Sequence, residues 1–92
     1  LFITTMHEDL AQAQLALQEA NTSKLLRHVH RMHGSFATVG AIALAAACDE
    51  CEIGLLREPL SPESVSRIQV LLKRLHSAVS RLVEGALYPK GE

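Results

Sequence analysis

Between Ser61 and Leu87, the residues Val65, Ile68, Leu72, Leu75, Val79, Leu82 and Ala86 follow one another at intervals of three and four. That repeat matches the turn of an α-helix and lays a single apolar stripe along it. A helix striped on one side is not stable alone in water. It holds only when the stripe is buried against other elements. Ser61-Pro62-Glu63-Ser64 supplies a start signal: a hydroxyl at the N-cap, proline at the first helical position, and an acid in the first turn. Gly85, Pro89 and Gly91 bracket its predicted end.

Three upstream segments show the same period. Met6, Leu10, Ala13, Leu17 and Ala20 predict a helix over residues 6–20, with Thr5-Met6-His7-Glu8 read as a capping box. Asn21-Thr22-Ser23 is a break followed by a cap. A second helix then carries Leu25, Val29, Met32, Phe36 and Val39, ending at Gly40. The third stripe is Ala41, Leu44, Cys48, Cys51 and Leu55, and it stops before Pro59 because the residue ahead of proline avoids helical geometry. No segment alternates with period two, so no strand is predicted. Four helices of roughly 15 to 25 residues joined by short connections pack as antiparallel neighbours. The expected fold is all-α, an up-down-up-down four-helix bundle. The 92 residues suit a single domain spanning 1–92. The start at Leu1 rather than Met reads as a piece of a longer multidomain chain.

Charge and composition narrow the function. The formal net charge is −1, so no global field draws in nucleic acid or an anionic membrane. Aromatic residues are 3% of the chain, too few for base-stacking platforms. No apolar run reaches the roughly 18 residues that span a bilayer. Neither nucleic acid nor direct membrane contact is therefore expected. The two cysteines are too few for a disulfide scaffold, which favours a reducing, cytoplasmic setting.

Within residues 27–40, "RHVHRMHGSFATVG", three histidines fall in six positions. His30 sits one residue off the core stripe, about 100° around the helix, at the edge of the buried face or on the surface. Gly34 follows one turn later, then Ala37, so the surface beyond His30 is nearly bare of side chains. Glycine in mid-helix costs up to about 1 kcal/mol relative to alanine, a cost consistent with close approach by a partner. Arg27 one turn earlier and His33 one turn later make the local field basic, suited to a phosphate or carboxylate. A neutral imidazole is a competent nucleophile toward phosphorus. His28 has Met32 four residues on, which would crowd an approach, and looks incidental. His7 and His76 read as solvated.

"HRMHGSFATVGAIALAAACDECE", residues 30–52, resembles the signature of the histidine-phosphotransfer (HPt) domain family. His30 matches the phosphorylated histidine, Gly34 the glycine one turn on, and Ser35 the small residue after it. Val39-Gly40-Ala41 and Leu44 match the turn into the third helix, and Glu52 the closing acid. Two positions depart from the pattern: His33 stands where the family usually has lysine, and Cys51 where leucine is common. A histidine is only partly charged near neutrality, so help from His33 with a phosphate would depend on pH. The general look is similar to the C-terminal HPt domain of unorthodox hybrid sensor histidine kinases.

The resemblance implies a phospho-carrier in a His-Asp phosphorelay. His30 takes a phosphoryl group from a receiver-domain aspartate of a hybrid kinase and passes it to a response-regulator receiver. Arg27, His33, Gly34 and Ala37 would contact phosphate or partner. Mg²⁺ would belong to the receivers, and this domain would carry no cofactor, no kinase activity of its own and no ATP-binding loop. It would be monomeric in isolation and cytoplasmic within a membrane-anchored parent.

Two other readings compete. A non-phosphorylated helical adaptor or dimerisation module would need no bare surface beside His30. A small zinc-binding bundle would use Cys48-x-x-Cys51 with His30 and His33. A continuous helix instead puts both thiols on its core stripe, away from those histidines, so no metal site is expected. A redox pair would need a βαβ context that is missing. The basic run Arg67, Lys73, Arg74 and Arg81 reads as a solvated face.

Overall fold

The computed structural model describes the chain over residues 2–87, and side chains over residues 5–81. Four helices account for nearly all of it: α1 (Phe2–Gln18), α2 (Thr22–Thr38), α3 (Ile42–Arg57) and α4 (Pro62–Leu87). No strand occurs among the described residues. The connections, 19–21, 39–41 and 58–61, are short enough to force antiparallel neighbours. The helices form a bundle 49 × 21 × 21 Å in extent. α2 packs closely on α1 and on α3, α4 packs on α1, and α3 meets α4 only lightly.

The predicted stripes form the core. Met6, Leu10, Ala13 and Leu17 of α1 bury against Leu25, Val29, Met32 and Phe36 of α2 and Ile68, Leu72, Leu75 and Val79 of α4. α3 adds Ala45, Cys48 and Leu55, with Leu44 and Cys51 partly buried beside them. Arg67, Lys73, Arg74 and Arg81 are exposed.

At α4 the Ser64 N–H donates to Ser61 Oγ at 3.2 Å and the Ser61 N–H to Ser64 Oγ at 2.7 Å, a reciprocal capping box. Asn21 caps α2, its Oδ1 accepting from the Lys24 N–H at 3.1 Å. α2 ends at Thr38 and is closed by Gly40, whose φ of +78° is the left-handed conformation that glycine adopts without steric cost. There the Ala41 N–H reaches Phe36 O at 2.9 Å and the Gly40 N–H reaches Ala37 O at 3.1 Å, satisfying two terminal carbonyls. The same motif closes α1, with Ala20 at φ 55° in the left-handed position.

Four expectations need correction. Thr5 is not an N-cap, because α1 begins at Phe2 and runs through it; once a helix is nucleated, extension adds a hydrogen bond per residue fixed. α1 stops at Gln18, so Ala20 leaves the stripe and is exposed. Val39 is 51% exposed, since the helix has ended at Thr38 and the three-four spacing no longer places the next residues. Gly85 lies inside α4 rather than at its end, a cost a long helix tolerates. The side chains of Leu82 and Ala86, and Pro89 and Gly91 altogether, lie outside the described residues.

Candidate functional site

His30 sits near the middle of α2 with 73% of its side chain exposed. Its Nδ1 donates to Glu52 Oε1 at 2.7 Å, and His33 Nδ1 donates to Glu52 Oε2 at 2.9 Å. One carboxylate from α3 thus holds two imidazoles from α2. The pairing follows from the helical hairpin. His30 and Glu52 each lie eleven residues from Ala41, the last residue of the α2–α3 connection, so antiparallel packing brings them level. His33 is three residues on, the neighbouring position on the same helix face. The two rings stand edge to face, with centroids 6.3 Å apart.

The hydrogen bonds decide the tautomer. Glu52 is largely shielded, with 14% of its side chain exposed, and as a carboxylate it can only accept. Each imidazole must place a proton on Nδ1, which leaves Nε2 with a free lone pair when the ring is neutral. For His30 that nitrogen belongs to an exposed ring.

The surface beside it is open. A methyl group built at Gly34 would meet nothing within 4 Å among the described residues, so none of them packs into the space that glycine leaves. The Gly34 carbonyl accepts from Thr38 Oγ1 at 2.8 Å. Ala37 is exposed one turn on, and Arg27 is exposed one turn before His30 with no ion partner among the described residues. Arg31 turns away, its Nε lying 3.5 Å from Asp9 Oδ1. All the residues singled out around His30 therefore share one flank of α2. His33 differs from the expected free cation in being half-buried and tied to Glu52.

His28 is not incidental. It is buried, and its Nδ1 donates to the buried Asp9 Oδ1 of α1 at 2.9 Å. That pairing removes it as a rival acceptor more directly than crowding by Met32, which is itself in the core. Sequence reasoning passed over Asp9. The signal was present: Asp9 lies three residues after Met6 and four before Ala13, on the buried stripe of α1. His7 and His76 are exposed, as expected, and their rings meet edge-on with centroids 6.1 Å apart.

The cysteines stay apart from this chemistry. Both thiols are free. Burial, joined by the nearby Cys51 and Glu52 groups, pushes the Cys48 thiol up to about 12, and burial with Glu52 raises Cys51 to about 11. Thiols held protonated are poor metal ligands and poor nucleophiles. Among the described residues the group able to converge on an ion is His30, His33 and Glu52, without either cysteine.

A cleft of about 450 Å³ lies between α3 and α4, lined in part by Gly54, Leu55, Ile68 and Leu71. His30 is not part of it. The histidine occupies an open helix face, a geometry suited to a macromolecular partner that carries the reacting group to it.

The family model for the Hpt domain matches residues 1–85. No curated protein and no solved structure matches the chain.

Proposed function

The chain belongs to the Hpt domain family, whose function is histidine phosphotransfer in phosphorelays with receiver domains, and on that premise we propose that His30 is its phosphoacceptor. The single observation that carries the assignment is the pairing of an exposed imidazole with a fixed tautomer. Glu52 holds Nδ1–H at 2.7 Å and leaves Nε2 facing outward. No other histidine of the described chain combines these. His28 is buried, and His33 is half-buried.

In the proposed step the Nε2 lone pair attacks the phosphorus of a receiver's aspartyl phosphate. The N–P bond forms as the bond from phosphorus to the aspartyl oxygen breaks, and the carboxylate leaves with its electron pair. The ring gains positive charge, and the Glu52 carboxylate at Nδ1 stabilises it, the role a carboxylate plays behind any catalytic imidazole. Arg27 can donate to phosphoryl oxygens, and His33 can donate from Nε2 only when its ring carries the second proton. Gly34 and Ala37 leave room for the receiver surface, and the exposed Val39 and Ile42 at the α2–α3 turn extend that flank with apolar contact area. The reverse step returns the phosphoryl group to a second receiver's aspartate. Mg²⁺ would be held by the receivers. In this reading the donor receiver belongs to a hybrid sensor kinase that carries this domain at its C-terminal end, and the acceptor to a response regulator. The motif over residues 30–52 supports that setting.

The test is phosphoryl uptake from a phosphorylated receiver. His30→Gln is expected to abolish it with the helical circular-dichroism spectrum and melting curve retained. Undiminished labelling of that variant would remove the assignment.

A further inference from the structure

We propose that His30, His33 and Glu52 form a binding site for a divalent transition-metal cation of the zinc class, and that occupancy of this site silences the phosphoacceptor. The binding half stands on geometry alone; the silencing half rests on the assignment of His30.

The ligand atoms of these three residues lie within 4.8 Å of one another. Two imidazoles and one carboxylate are a common first set for zinc, which takes such donors at about 2.0–2.2 Å and accepts water at the remaining positions. Donors on a tetrahedral zinc are about 3.3 Å apart by that bond length. Closing the set therefore takes small rotations of side chains, two of them on one helix face, without moving the backbone. The spacing of the histidines, three residues apart on α2, is the one that puts both rings on the same side. Glu52 already points between them, and its carboxylate would offset part of the ion's charge.

The site is selective by its donor chemistry. Imidazole nitrogens suit zinc, copper and nickel, whereas Mg²⁺ demands oxygen ligands and gives up its water reluctantly. The Mg²⁺ that receiver chemistry uses would therefore leave this site alone. His33 is essential to the selectivity. A lysine at that position would be a cation with no lone pair near neutrality, and would repel the ion.

Coupling to phosphotransfer follows from the tautomer. The metal would occupy the Nδ1 lone pairs that now carry protons bound to Glu52. A neutral ring coordinating through Nδ1 carries its proton on Nε2, which removes the lone pair that attacks phosphorus. The ion would also break the bond between Glu52 and His30. One binding event thus withdraws both the nucleophile and the carboxylate behind it.

The experiment uses the chain without a polyhistidine tag. Zinc chloride is titrated by calorimetry near neutral pH, and phosphoryl uptake from a phosphorylated receiver is measured with and without zinc. The wild type is expected to bind one equivalent, with His33→Lys weakening binding at least tenfold, in line with loss of a ligand. His76→Ala, which breaks the other histidine pair, is expected to bind zinc as the wild type does. Zinc is expected to slow uptake by the wild type and to leave the rate of His33→Lys unchanged relative to that variant's own zinc-free rate. Absence of binding at millimolar zinc, undiminished binding by His33→Lys, or loss of binding in His76→Ala would each overturn the site. Stoichiometric binding at this site without any change in uptake would overturn the silencing. If His30→Gln still took up phosphate while the wild type bound zinc normally, the failure would lie with the phosphoacceptor and not with the metal site.

Discussion

Glu52 on α3 accepts the Nδ1–H of His30 on α2 at 2.7 Å, and it does so while the imidazole stays 73% exposed. The shielded partner fixes the exposed one. Glu52→Gln would break this arrangement. His30 and His33 bond to different oxygens of Glu52, and in the amide one of those positions becomes a donating NH2 that faces a donating Nδ1–H. We expect phosphoryl uptake to fall by at least about tenfold, since carboxylates behind reacting imidazoles are worth that much or more. The melting temperature should move little, because the residue contributes nothing to the apolar core. Nitrogen chemical shifts of the His30 ring would check the cause directly, since the wild type should show Nε2 unprotonated in its neutral form. An unchanged uptake rate would show that the carboxylate is not part of the mechanism.

The bundle was legible because its information is periodic. Four apolar stripes at helical spacing name the core almost residue by residue, from Leu25 to Phe36 on α2 and from Ile68 to Val79 on α4. His30 and Gly34 were legible for the same reason, as positions a fixed angle from such a stripe. Contacts between helices were not. Nothing local to Glu52 says that it will meet two histidines more than eighteen residues away; that follows only once the α2–α3 hairpin is folded about Ala41. Asp9 and His28 were passed over in the same way, because polar residues on a buried stripe make sense only as a pair. The start of α1 was misplaced because a capping sequence at Thr5 competes with continued helix, and propagation wins.

Gly34 separates folding from docking. A methyl group at this position meets no atom of another described segment within 4 Å, so no close helix packing among the described residues requires the glycine. Gly34→Ala should therefore stabilise the fold, by up to about 1 kcal/mol, through helix propensity alone. Gly34→Leu should also fold, yet place a branched side chain one turn from His30 where a receiver must approach. We expect its transfer rate to fall at least tenfold with stability equal to or above that of the wild type. Chemical denaturation and a receiver-transfer assay on the same preparations provide the comparison. Normal transfer by the leucine variant would mean that the partner does not use this flank.

The Asp9–His28 pair should matter for stability and not for transfer. Asp9 is 3% exposed, and its Oδ2 has no hydrogen-bond partner among the described residues, where the carboxylate depends on His28 at 2.9 Å and on Arg31 at 3.5 Å. His28→Leu leaves that group buried with its better partner gone, at a cost of about 3 kcal/mol. In a domain of this size such a loss lowers the melting temperature by more than about 10 °C. Replacing both residues by leucine should recover most of it, since a buried polar pair is often no better than a well-packed apolar one. A double-mutant cycle by thermal unfolding would measure the coupling. Additive effects of the two single variants would show that the contact carries no energy.

Alkaline pH should expose the buried thiol of Cys48. Burial, with help from the Cys51 and Glu52 groups, raises this thiol from the ordinary 9.0 to about 12 in the folded chain. Below pH 9 the thiol is protonated in both folded and unfolded chains, and it adds no pH dependence. Above that value the unfolded chain loses the proton while the folded chain keeps it. The unfolded state then binds fewer protons, so stability must fall as pH rises, by about 1 kcal/mol per unit until the folded thiol itself ionises. Urea midpoints taken across the alkaline range should decline for the wild type and decline less steeply for Cys48→Ala, which starts lower because it leaves a small cavity. The same protection predicts negligible alkylation of Cys48 in the folded protein near neutral pH and rapid modification in denaturant. Fast labelling of folded protein at Cys48, located by peptide mass, would contradict a thiol held protonated at the centre of the bundle.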